Sequence, residues 1–94
     1  MASRYEVSIP TPLQSYTAGA ARVVVTTRAK PAHLADVLAA LDEAYPGIRF
    51  RMVDEAGRVR PHVQVFVNAS IERNPAAVLA PGARIMIVGA LSGG

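Results

Sequence analysis

The residues with chemistry to offer close the chain: Ala90-Leu91-Ser92-Gly93-Gly94. They follow an apolar run, Ile85-Met86-Ile87-Val88, that reads as a buried strand. Gly89 to Gly94 is six residues, which fully extended reach roughly 20 Å, far enough to enter another protein's active site. Gly93 and Gly94 lack a Cβ and accept nearly any φ, so a carboxylate there can pass along a narrow tunnel. The expected reactive group is the α-carboxylate of Gly94, with Leu91, Ser92 and Gly93 threading the partner's active site. With a pKa of about 3.5, that carboxylate is an anion at neutral pH. It resists nucleophiles until one oxygen is made a leaving group. The opposite reading is a terminus of small residues without a role, and the rest of the chain decides between them.

No side chain competes for the chemistry. Cysteine is absent, which excludes disulfides, a thiolate nucleophile and a cysteine persulfide. His33 and His62 are far apart and lack cysteine or paired carboxylates nearby, so they read as ordinary surface or half-buried residues rather than metal ligands. Ser8, Asp36 and His62 could be drawn as a triad, but their spacing does not support it. The chain is expected to be no enzyme, with no metal and no bound cofactor. Arg49, Arg51, Arg58 and Arg60 form a basic segment, read first as solvated arginines around a turn and second as a patch for an acidic partner. Nucleic acid is not expected, because Phe50 alone interleaves with those arginines as a stacking platform.

The elements that must position the tail follow from periodicity. Tyr5 to Ile9 alternates as a half-buried strand, ended by Pro10 and Pro12, and Pro10 to Gly19 is a loop. Arg22 to Thr27 is β-branched and reads as a second strand, antiparallel to the first. Leu34, Val37, Leu38, Leu41 and Tyr45 fall three and four apart, one apolar stripe on a helix that Pro46-Gly47 ends. Pro31 is expected at its first position, with a weak cap at Lys30. Ile48 to Val53 fits either a short strand or a helical turn. His62 to Asn68 is a strand with Val63, Val65 and Val67 on one face. A short edge strand at Ser70 to Glu72 and a helical turn near Ala76 to Leu79 complete the reading.

This order is α+β: a mixed sheet of four or five strands, one main helix on one face, and the first and last strands as central neighbours. That is the ubiquitin-like β-grasp, as a single domain over 1–94 with 89–94 as a flexible tail. Parity in the last strand puts Ile85 and Ile87 on one face and Met86 and Val88 on the other. Phe66 shares the outward parity, so Phe66, Met86 and Val88 form a candidate partner-binding patch leading to the tail. The alternative is a second small core covered by the Pro10 to Gly19 loop.

The totals agree. Ninety-four residues at 51% hydrophobic and mean hydropathy +0.25 make an ordered domain. No apolar run approaches the roughly 18 residues of a membrane span, and a cytoplasmic location is expected. The net charge of +3 is mild, and Lys30 is the only lysine. A tag that builds chains on itself needs acceptor lysines, so the scarcity favours a carrier.

Taken together, the chain resembles the sulfur carrier proteins related to the molybdopterin synthase small subunit and the thiamine sulfur carrier. The resemblance is carried by Val7 to Leu13, Tyr16 to Gly19, Leu34 to Tyr45, Asp54 to Arg60, Val65 to Asn68 and Ser92-Gly93-Gly94. Within that family it is most similar to the actinobacterial branch serving cysteine biosynthesis. Two departures stand out: no proline precedes the last few residues, and Ala69-Ser70 replace the usual acidic or glycine pair. The resemblance implies activation of the terminal glycine by an ATP-dependent adenylating enzyme, then a thiocarboxylate that a synthase consumes. The implied acceptors are a cysteine synthase-like enzyme, a thiazole or sugar synthase, or the molybdopterin synthase large subunit. A protein modifier conjugated through Gly-Gly is the alternative.

Overall fold

The computed structural model describes residues 2–89. Five strands form one sheet: β1 (Ser3–Ser8), β2 (Arg22–Thr27), β3 (Val63–Val67), β4 (Ser70–Ile71) and β5 (Arg84–Gly89). Their spatial order is β2-β1-β5-β3-β4. β1 and β5 are the parallel pair, with Val7 beside Ile85; every other pairing is antiparallel. Helix α1 (Leu34–Ala44) packs across one face, and a one-turn helix α2 (Ile48–Met52) follows it. Ile48 to Val53 is thus the helical alternative. No helix among the described residues is long and apolar enough to cross a membrane.

Two periodicities meet in the core. Tyr5 and Val7 from β1, Val23 and Val25 from β2, Val63 and Val65 from β3, and Ile85 and Ile87 from β5 all face α1. Leu34, Val37, Leu38 and Leu41 of α1 are fully buried against them, and Ile48 and Met52 of α2 close the end. Tyr45 of the expected stripe is only partly buried, because it already lies past the last helical turn.

The helix starts three residues later than the Pro31 reading. Its N-cap is His33, whose N–H donates to the Asp36 carboxylate at 2.8 Å. The first free N–H groups are met from a distant loop: Leu34 N–H donates to the Ala77 carbonyl (3.0 Å) and Ala35 N–H to that of Pro75 (2.8 Å). A helix end needs such partners, and here tertiary contacts supply them alongside the local Asp36 carboxylate on the N-cap. The same contacts explain why Ala76 to Leu79 forms no helical turn. Pro75 and Ala76 instead form a single turn closed by Ala77 N–H donating to the Asn74 carbonyl at 3.0 Å, and beyond it Val78 is bridged to His33 and Leu79 N–H donates to the Ala32 carbonyl.

The loop after β1 holds a short 3₁₀ turn at Thr11–Leu13 and folds towards the helices. The Tyr16 ring lies against Gly47, where a Cβ would approach it to 3.2 Å, and Gly47 has φ +97. Both conditions select glycine. The Tyr16 hydroxyl accepts a hydrogen bond from Arg51 Nε at 2.8 Å.

Candidate functional site

The open face of the sheet is built by parity. On β5, Ile85 and Ile87 turn to α1, so Arg84, Met86 and Val88 turn away. Met86 is 50% exposed and Val88 41%. Phe66 is Met86's direct partner across β3, and Gln64 pairs with Val88. Phe66 is half-buried rather than open, standing in the register between Ile71 of β4 and Met86 of β5. The covering loop of the alternative reading is elsewhere: Leu13 and Tyr16 pack against the buried core, and Tyr16 reaches α2.

The register defines a row that the sequence reading did not assemble. Ile71 pairs with Phe66, Phe66 with Met86, Met86 with Ser8, and Ser8 with Arg22. The row is apolar at the β4 end and polar at the β2 end. Ile71 is 59% exposed and belongs to the patch. The expected edge strand at Ser70 already put Ile71 in pairing range; the missing signal was the two-residue turn that fixes its register. That turn is Asn68-Ala69, both with positive φ (+48 and +71), as a tight hairpin requires. The Asn68 side chain accepts from Arg84 N–H at 2.9 Å, tying the turn to the start of β5.

Beside the row lies an open groove of about 620 Å³, lined by Glu6, Ser8, Arg22, Phe66, Arg84 and Met86 among others. Arg22 and Glu6 approach to 3.9 Å on its rim, both well exposed. Such a surface has apolar anchors on β3 to β5 and an Arg22–Glu6 ion pair at its β2 end. Gly94, Gly93, Ser92 and Leu91 lie outside the described residues. The structure reaches Gly89, three residues past Met86 on the same strand.

The remaining candidates separate. Ser8 lines the groove, while Asp36 is occupied with His33, its carboxylate also 3.1 Å from His33 Nδ1. A carboxylate thus does sit beside His33, as a helix cap. No cluster of three or more metal-ligating side chains exists among the described residues. The arginine segment is largely engaged. Arg51 bonds Tyr16, which pushes the guanidinium's pKa up, and Arg60 stacks on Phe50 at 4.6 Å while donating to the Phe50 carbonyl. Asp54 accepts from the Arg58 and Ala56 N–H groups at 2.9 Å. The Arg58 N–H is the main cause holding its carboxyl below the ordinary carboxylate value. Arg73, not singled out by sequence, gathers the carbonyls of Val59, Arg60 and Val63 and so clamps the start of β3.

Sheet order, crossing helix and terminal strand are those of a ubiquitin-like sulfur carrier. The chain belongs to the ThiS family, whose model matches residues 8–94. It is similar to CysO of Mycobacterium tuberculosis, described as an antigen, at 28% identity and TM-score 0.80, covering 93% of this chain and 99% of that one. A chain of the Amycolatopsis orientalis BexX/CysO complex matches at 26% identity and TM-score 0.82, covering 96% and 99%. SAMP1 from Haloferax volcanii matches at 25% identity and TM-score 0.80, covering 97% and 99%. No curated protein sequence matches the chain.

Proposed function

We propose that this chain carries sulfur as a thiocarboxylate on Gly94. The observation that carries the reading is the placement of the Gly-Gly segment directly after β5, the strand that also presents Met86 and Val88 on the open face. A partner that grips the row Ile71–Phe66–Met86 holds the root of the tail. The tail's reach of roughly 20 Å then sets how deep the carboxylate enters.

The chemistry belongs to the partner. A Gly94 carboxylate oxygen attacks the α-phosphorus of ATP, pyrophosphate leaves, and an acyl-adenylate forms. Hydrosulfide adds to the acyl carbon, AMP leaves with the electron pair, and loss of a proton gives the thiocarboxylate. A synthase then takes the sulfur. The carrier contributes the reactive terminus and the docking face, and its lack of cysteine leaves no internal thiol to exchange with the cargo. A complex such as BexX/CysO among the similar structures supports the idea that carriers of this shape work bound to a second protein.

Conjugation to proteins is the second reading, supported by the likeness to SAMP1, a small archaeal modifier protein. The two readings diverge after the adenylate. Intact-mass spectrometry of the chain incubated with its adenylating enzyme, ATP and sulfide should show an oxygen-for-sulfur exchange on free protein. Isopeptide bonds from Gly94 to other proteins' lysines, without that exchange, would favour the modifier.

A further inference from the structure

The two edges of the sheet are finished differently. β4 is two residues long, too short to template another strand. β2 is six residues without proline, paired with β1 without interruption from Ser3↔Thr27 to Ser8↔Arg22. Its outer side has no strand neighbour among the described residues.

The register shows which backbone groups face that side. Ile9 N–H donates to the Ala21 carbonyl at 2.8 Å. Hydrogen-bonded pairs in an antiparallel ladder alternate, so Val7↔Val23, Tyr5↔Val25 and Ser3↔Thr27 are bonded pairs as well. The N–H and C=O of Arg22, Val24 and Thr26 therefore point out from the edge. The turn and loop bonds among the described residues use none of them. Helix α1 leaves the edge uncovered: a cleft of about 270 Å³ runs beside it, lined by Val24, Val25, Thr26, Ala40, Glu43 and Ala44. Val24 is 52% exposed.

We propose that β2 is a strand-addition site for a second copy of this chain, the two edges pairing antiparallel about a two-fold axis through Val24. Pairing through the outward groups sets even-numbered residues against even-numbered ones. Centred on Val24, it places Val24 against Val24 of the second copy and Arg22 against its Thr26. The only charged residue of the strand then meets a hydroxyl. Moving the axis one pair towards Thr26 would set Arg22 against Arg28 of the second copy, and like charges directly opposed are unfavourable. Moving it the other way would call on Ala20, whose N–H and C=O are already bonded to Thr17, so charge on one side and these bonds on the other select the register in which the strand complements itself. An extended segment of another protein could use the same backbone groups, but nothing on the edge specifies its sequence. The contact is smaller than the roughly 1,200 Å² of stable complexes, so the dimer is weak and forms with concentration. β1 lies between β2 and β5, so both copies keep Met86 and Val88 open. This inference does not depend on the sulfur chemistry.

Sedimentation velocity from about 10 µM to about 1 mM, a range that brackets millimolar-to-micromolar affinities, tests it together with amide hydrogen exchange. The average mass should rise towards a dimer, with the Arg22, Val24 and Thr26 amides slowing while Val23 and Val25 do not change. Thr26→Glu, placed opposite Arg22 of the second copy, should tighten the dimer and Thr26→Arg should weaken it, each by about 2- to 10-fold. Val24→Pro removes an outward donor, spares the ladder to β1, and should abolish pairing. Should that variant fail to fold, the opposite signs of the Thr26 pair still decide, since loss of folding cannot produce both. A monomer at all concentrations overturns the proposal, even one that captures an extended peptide instead. So does a dimer indifferent to these substitutions.

Discussion

β5 carries the same kind of residue on both of its faces. Ile85 and Ile87 are 1% and 2% exposed beneath α1, while Met86 and Val88, their immediate neighbours, are half-open on the other side. Folding accounts for the first pair, since burying such a side chain is worth about 1.5–3 kcal/mol. It gives no reason for the second, where a sheet with one wet face would carry polar residues. The difference teaches that parity alone divides the two faces of one strand. The covered face makes the domain, and the open face is the one we propose a partner grips.

The sharpest way to break that comparison is to mutate both faces and measure both properties. Leu38→Ala, in the helix stripe that covers Ile85 and Ile87, should cost about 2–5 kcal/mol, a large share of a small domain's stability. A melting midpoint equal to the parent's would mean the stripe does not pack as described. Met86→Ala and Phe66→Ala should instead weaken binding to the adenylating enzyme by about ten- to hundredfold, the worth of burying such a side chain. Met86→Ala should leave stability within about 0.5 kcal/mol. Unaltered affinity per folded molecule, with a large loss of stability, would make the open face a second core.

A smaller effect comes from the turn beside the groove. Ala69 holds φ +71, which strains any side chain, so Ala69→Gly should stabilise the fold by about 0.5–1 kcal/mol. Docking affinity should not change, because the backbone stays where it is. The least effect is expected far from both faces. Asp54's folded pKa is depressed, mainly by the Arg58 N–H. Its stabilisation is therefore complete above the ordinary carboxylate value and is lost as pH falls through the folded one. Asp54→Asn should slightly flatten the acid limb of a stability-against-pH curve and leave the neutral region level. An acid limb identical to the parent's would remove Asp54 from the account.

What the sequence made legible was whatever repeats with the period of an element. Leu34, Val37, Leu38 and Leu41 mark the helix, and alternation in β3 and β5 puts Val65 and Ile87 inward and Met86 and Val88 outward from the residue order alone. What stayed hidden depends on residues far apart in the chain. The start of α1 was misplaced at Pro31 because its N–H groups are met by the Pro75 and Ala77 carbonyls. Ile71 was missed because its place in the row is set by Asn68 and Ala69 at positive φ, and alanine rarely signals such a turn. Arg73 carried no pattern at all, since its partners are carbonyls. Its clamp is a tertiary fact.

The central claim, that the domain exists to present the carboxylate of Gly94, is tested most directly at that residue. Chains lacking Gly94, or extended by one residue beyond it, should be incubated with the adenylating enzyme, ATP and sulfide and weighed intact. The account predicts no oxygen-for-sulfur exchange in either, with melting midpoints matching the parent, because unpacked terminal residues contribute little to folding. Full conversion of the extended chain, without trimming, would contradict it.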